Sequence, residues 1–408
     1  MLSGYRVLDL TDEKGFLCGK IFGDLGADVI KVERAGGDPA RRIGPFLHGI
    51  PDRGKSLHWF AFNSSKRGIT LNPESLQGQE IFRRLSDRVD VVVESFPPGT
   101  MDDLGLAYSS LSATNPRLIM VSITPFGQTG PYRDRKASDI ILLAMSGLMS
   151  ITGDSDRPPV RMCLDQSYCL AGAHAAVGTL LALRHRQISG EGQHVDVSMY
   201  ECAVRANYWE PSRWEFLKTI VKRMGNQFPR AAAKGKQLWH CKDGYVTFLL
   251  TGSTSGARMM NALVAWMDET GRAGRMKDID WNTMHLSKIS QEELGSLEEA
   301  IGEFFLSFTM DEIEEVALKR GIPVARVNEI DDITRDEQLA FRKYWDPLRM
   351  PGTAETIGHP AFPFLTSVGG TGVRSRAPMT GEHNEAVYGK ELGLPEETLS
   401  ALREGGVI

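Results

Sequence analysis

With 408 residues, the chain exceeds one simple compact unit, which predicts one large domain and a smaller one. Hydrophobic residues at 41% and charged residues at 24% fit a globular protein, and a net charge of -5 argues against a nucleic-acid binder. Five scattered cysteines without CxxC spacing argue against zinc and a disulfide framework. No apolar run approaches the ~18 residues that span a membrane. Met1 to Gly4 runs straight into a strand pattern with no signal-peptide character, so the cytoplasm is the expected compartment.

The first half alternates strand and helix patterns. Tyr5 to Leu10 reads as a buried strand, Gly15 to Leu25 as a helix stopped by Gly26, and Ala27 to Glu33 as a second strand. A helix covers Glu80 to Leu85, with strands at Val89 to Glu94 and Arg117 to Ile123. An apolar helix closes at Leu180 to Arg186, and Val195 to Ser198 is a short strand. This alternation calls for an α/β fold, a parallel sheet covered by helices. No G-x-G-x-x-G follows the first strand, which disfavours a dinucleotide dehydrogenase.

Composition shifts after Cys202. A long helical stretch with Trp209 and Trp214 is expected from Ala203 to Lys222. A loop at 223–237 and a hairpin-like Leu238 to Phe248 open the smaller domain. Amphipathic helices follow at Gln291 to Phe308 and Asp311 to Arg320, then strand-like Gly321 to Val327. From about 335 the chain is loop-rich and ends in a short helix before Gly405. The expected division is 1–222 for the N-terminal part of the large domain, 223–325 for the small domain, and 326–408 for a return to the large domain.

One frame carries most of the chemical information. It runs from Pro158-Pro159-Val160-Arg161 through Tyr168-Cys169-Leu170-Ala171-Gly172-Ala173-His174 to Gly190-Glu191-Gly192-Gln193. With Asp24 to Glu33, Gly37-Asp38-Pro39-Ala40-Arg41, Lys66-Arg67, Gly127 to Tyr132 and Gly381-Glu382-His383-Asn384, it resembles the class III CoA-transferases, the formyl-CoA and carnitine type, essentially end to end. The resemblance implies a Rossmann-like large domain with a smaller inserted domain, and two chains interlocked as a dimer. It also implies a CoA thioester as substrate and no permanently bound cofactor.

In that family an aspartate four residues before the helix glycine is the nucleophile. Its carboxylate attacks an acyl-CoA thioester, forms a mixed anhydride, becomes an aspartyl-CoA thioester and passes CoA to an acceptor acid. Tyr168 fills that position here, and a phenol with a pKa near ~10 offers neither the carbonyl nor the charge. Asp165, three residues earlier, is the fallback nucleophile, or else an acid at the helix N-terminus. Arg41 and Lys136 match positions that hold CoA phosphates in the family, or else are solvated surface charges.

Against CoA binding, Asp103 stands where the family commonly has an arginine, and Asp12-Glu13 replaces apolar residues after the first strand. The loop Arg230 to Gly235 lacks the glycine run of some relatives. Ser138-Asp139 lacks the histidine that related racemases use, while His174 and His383 read as structural.

The resulting expectation is the non-nucleophilic subunit of a heteromeric CoA-transferase, similar to the benzylsuccinate type. Its partner would be a paralogous Asp-bearing chain in a heterodimer or heterotetramer. Succinyl-CoA would be the donor and an aryl- or alkyl-succinate the acceptor. The alternatives are a homodimeric transferase that uses Asp165, and a non-catalytic scaffold of the same fold.

Overall fold

A computed structural model describes every residue except Ala231 and 351–354. One residue of the 230–235 loop and part of the loop-rich segment after 335 therefore lie outside the described residues. The chain forms two compact units. The larger comprises Met1–Met149, Arg161–Ile220 and Glu337–Ile408; the smaller comprises Ser150–Val160 and Val221–Asp336. The first expected boundary, at 222, lies two residues from the observed one. The second falls at 336 rather than 325, and 150–160 joins the smaller unit without any shift in composition to announce it.

The larger unit is built on six parallel strands: β1 (Arg6–Leu10), β2 (Asp28–Glu33), β3 (Lys66–Thr70), β4 (Val91–Glu94), β5 (Ile119–Thr124) and β6 (His194–Ser198). Their order is β3-β2-β1-β4-β5-β6. This is the doubly wound order whose ligand crevice opens outside the carboxyl ends of β1 and β4, where the strand order reverses. Both faces of the central strands are apolar, as a helix-covered parallel sheet requires. Val7, Val29, Val91, Val93 and Val121 pack under the first helix (Phe16–Asp24) and the long helix (Gln166–Ser189). On the opposite face, Leu8, Ile30, Val92 and Met120 pack with Ile81, Phe82 and Leu85 of the helix Leu76–Ser86.

Gly172, within the 158–193 frame, has a steric reason. A Cβ there would come within 2.8 Å of Leu17 Cβ, so only glycine lets the long helix meet the first one this closely. The expected helix from Ala203 to Lys222 is in fact two, Met199–Ala206 and Trp209–Leu217. Pro211 explains the break. Proline lacks an N–H and fits only in a first turn, so a helix must begin just before it.

The C-terminal segment returns to the larger unit. His383 N donates to Gly68 O at 2.9 Å, and Gly68 N donates to His383 Nδ1 at 3.1 Å. Thr70 N donates to Asn384 Oδ1 at 2.9 Å. These bonds pair the free edge of β3, so the Gly381-Glu382-His383-Asn384 signature is an edge cover.

In the smaller unit, Leu238–His240 and Tyr245–Thr247 form the expected hairpin, and Ala325–Arg326 adds a third antiparallel strand. Trp239, Phe248, Trp281, Phe304 and Phe305 fill its core.

Candidate active site

Polar side chains gather at the carboxyl ends of the strands. Asp9 is fully buried beside Lys66, with Nζ 2.8 Å from Oδ2. Lys66 Nζ also donates to Phe16 O and Asn63 Oδ1. Burial pushes the Asp9 carboxyl up, but Lys66 and Lys31 outweigh it and hold it below the usual carboxylate range. Asp9 Oδ1 accepts from Thr11 N and Oγ1, which fixes the turn leading out of β1.

That turn carries Asp12 and Glu13 into the crevice between β1 and β4. Asp12 N donates to Ser95 Oγ, and the Ser95 hydroxyl donates to Asp12 Oδ1, both at 2.8 Å. Asp12 also pairs with Lys14. Glu13 is raised by burial and by Asp12, with Lys14 opposing. The mouth of the crevice is therefore acidic, an unfavourable setting for a phosphate-rich ligand.

Tyr168 lies in the first turn of the long helix, half-buried against the apolar cluster under the sheet. Its hydroxyl oxygen accepts from Asp139 N at 3.2 Å. Burial, then the carboxylates of Asp165, Glu13 and Asp139, push the phenol up to about 12 against that single N–H. At neutral pH it is an uncharged, engaged hydroxyl. Asp139 itself is buried. Its Oδ1 accepts from Ser167 N at 2.9 Å and Ser167 Oγ at 2.8 Å, while Oδ2 makes no hydrogen bond among the described residues and lies 3.6 Å from Arg161 Nη1.

Asp165 is the N-cap residue, so it precedes the helix and does not share a helical face with Tyr168. Its carbonyl accepts from Tyr168 N and Cys169 N, but its side chain makes no cap bond. The carboxylate is 46% exposed and 3.7 Å from Arg161 Nη1.

Arg41, expected at a CoA phosphate, is enclosed in this structure. It is 0% exposed and bidentate on Glu33, with Nε–Oε2 at 2.6 Å and Nη2–Oε1 at 2.7 Å. Nη2 donates also to Pro378 O at 2.9 Å, and the guanidinium lies 3.8 Å from the Trp59 ring centroid. Glu33 offers the side chain a buried partner of matching fork geometry, while Nη1 has no hydrogen-bond partner among the described residues. Lys136 and Asp103 are exposed. His174 is exposed with Nδ1 2.8 Å from Leu170 O, a local helix contact. Among the described residues no cluster of His, Cys, Asp and Glu could hold a metal.

The model of CoA-transferase family III matches residues 2–384. The chain belongs to CoA-transferase family III. It is 33% identical over 407 residues to succinyl-CoA:(R)-benzylsuccinate CoA-transferase subunit BbsE of Thauera aromatica, covering 100% of this chain and 98% of that one. It is likewise 33% identical over 410 residues to succinyl-CoA–D-citramalate CoA-transferase of Chloroflexus aurantiacus, covering 100% and 98%. Among solved structures, a CAIB/BAIF family protein from Brucella suis superposes with a TM-score of 0.83 at 28% identity, covering 95% and 98%. The family and its parallel α/β architecture are those expected from the motifs and the strand-helix alternation of the sequence.

Lys66 and Ser95 were invisible as site elements because their partners, Asp9 and Asp12, lie far away in the chain. The packing role of Asp139 beneath Tyr168 had no sequence signal beyond its place after the Gly-Pro-Tyr segment.

Proposed function

We propose that this chain is the non-nucleophilic subunit of a heteromeric class III CoA-transferase. A paralogous chain carries the aspartate that takes up CoA. The observation that supports this reading most is Tyr168, an uncharged phenol at the family's nucleophile position whose oxygen is already engaged by Asp139 N. Such a group cannot become an acyl anhydride or a CoA thioester. The acidic turn at Asp12-Glu13 and the enclosure of Arg41 agree with a pocket on this chain that no longer handles CoA. The relative named as a benzylsuccinate CoA-transferase subunit favours succinyl-CoA as donor and an aryl- or alkyl-succinate as acceptor.

The family's interlocked dimer gives the degenerate copy a purpose. It supplies half of the scaffold and shapes the acid pocket beside the partner's aspartate. No permanently bound cofactor takes part. The rival reading, a homodimer that uses Asp165, is disfavoured by an open carboxylate outside the helix, beside an arginine and with no oriented donor.

Reconstitution tests the proposal. The chain alone is expected to transfer no CoA from succinyl-CoA to benzylsuccinate or another succinate derivative. The same chain purified with an Asp-bearing paralogue is expected to do so. Transfer by the isolated chain would remove the proposal in favour of the Asp165 reading.

A further inference from the structure

On the sheet face away from the first and long helices, β4, β5 and β6 bring Glu94, Ser122 and His194 to one cavity, with Asp196 of β6 opposite Ser122. The register sets Glu94 opposite Ser122, and Met120 opposite His194. Together with Asp102, Tyr108 and Gln128 they line a cavity of about 250 Å³ within the larger unit. Ser122 Oγ lies 2.8 Å from His194 Nε2, and Phe96 N donates to Glu94 Oε2 at 2.7 Å. The His194 ring stacks on Tyr108, with centroids 5.7 Å apart and planes at 24°.

The charge of this cavity is unbalanced. Its lining holds two acids, Glu94 and Asp102, and no lysine or arginine. Glu94 is 2% exposed. Burial pushes its carboxyl up to about 7; Ser122 and Phe96 N–H favour the charged form, and Asp12 and Asp196 oppose it. Among the described residues no lysine or arginine forms an ion pair with it, whereas Asp9, Asp24, Glu33 and Asp90 each have a lysine or arginine within 3 Å. His194 is held down by burial, against Asp196 and Asp102, and so stays neutral near pH 7.

We infer that this cavity binds a guanidinium group, with Glu94 as its carboxylate partner and the stacked His194–Tyr108 pair as its aromatic wall. A guanidinium is planar and weakly hydrated; it forks onto a carboxylate and stacks on aromatic faces, which a compact ammonium does less well. The same acids repel phosphates and carboxylates, so neither a CoA phosphate nor an acid substrate suits the site. The volume is below the ~300–1,000 Å³ of sites for drug-sized ligands, which fits a terminal group. The guanidinium belongs either to a free small molecule or to an arginine side chain of a partner chain. The inference stands apart from the transferase reading, because binding is read without turnover.

The test uses the protein in the assembly it forms on purification. Agmatine is titrated calorimetrically into the wild type, Glu94→Gln and Tyr108→Leu, with butylamine as the control. A free ligand predicts saturable agmatine binding that Glu94→Gln weakens at least tenfold and Tyr108→Leu weakens less. Because the group titrates near 7, affinity should be on the order of tenfold weaker at pH 6 than at pH 8. A partner's arginine predicts no agmatine binding. Phenylglyoxal labelling read by mass spectrometry would then find one partner arginine protected in the wild type and reactive in Glu94→Gln. Agmatine binding unchanged by both substitutions overturns the inference. So does the absence of both agmatine binding and a Glu94-dependent protected arginine.

Discussion

Asp9 and Glu94 stand near the carboxyl ends of neighbouring strands, and both carboxylates are buried, yet their surroundings are opposite. Asp9 has Lys66 at 2.8 Å and Lys31 close by, and its charge is held. Glu94 has two hydroxyl or amide donors and two neighbouring acids, and its charge is opposed. The β1–β3 side of the sheet is thus a closed set of ion pairs, Asp9–Lys66, Glu33–Arg41 and Lys20–Asp24, that builds scaffold. The β4–β6 side keeps an uncompensated acid facing a cavity. Burial alone therefore does not mark function. Whether the buried charge has been answered by the chain itself does so better.

Breaking the closed side should have the largest effect. Asp9→Ala leaves Lys66 and Lys31 buried without their acid and should cost about 3–5 kcal/mol in urea unfolding, often enough to prevent folding. Because the Asp9 carboxyl is depressed in the folded state, its contribution is present at neutral pH and is lost as pH falls below the ordinary carboxylate range. A loss under 1 kcal/mol would mean the pairs are not the brace described.

Glu94 should behave with the reverse sign. Its carboxyl is raised from 4.5 to about 7, so its contribution is full below about 4.5 and fades as pH rises through 7. With no cation bound, stability of the wild type relative to Glu94→Gln should fall by on the order of 3 kcal/mol between pH 4.5 and 8. A difference that is flat with pH would equate the two sides of the sheet.

Smaller effects sharpen the reading of the degenerate pocket. Tyr168→Phe removes one acceptor from Asp139 N and should cost about 1 kcal/mol, with transfer by the two-chain enzyme kept within a few-fold. Asp165→Ala removes a half-exposed carboxylate and should stay within ~0.5 kcal/mol, with transfer rates unchanged.

Much of the sheet was legible from apolar runs: β1, β2, β4 and β5 each lie in a stretch rich in Val, Ile and Leu bounded by polar or glycine residues. β3 carries no strand signal of its own, because Lys66-Arg67-Gly68 looks like a loop until Asp9 and Asp28 supply partners from other strands. The setting of Arg41 is hidden for a related reason. A cation after Gly37-Asp38 suggests a phosphate contact, and only the fold reveals Glu33 beneath it. Tyr168 stood out because the frame around it fixes its position on the long helix. The Glu94–Ser122–His194 set was silent, since three strands must be in register before those residues meet.

The central claim is that the CoA thioester forms on another chain. During turnover of the two-chain enzyme with succinyl-CoA, hydroxylamine trapping followed by peptide mass spectrometry reads which carboxylate carries it. The account predicts a hydroxamate on one aspartate of the paralogous partner and none on this chain. A hydroxamate on Asp165, Asp139 or Glu13 of this chain would contradict it.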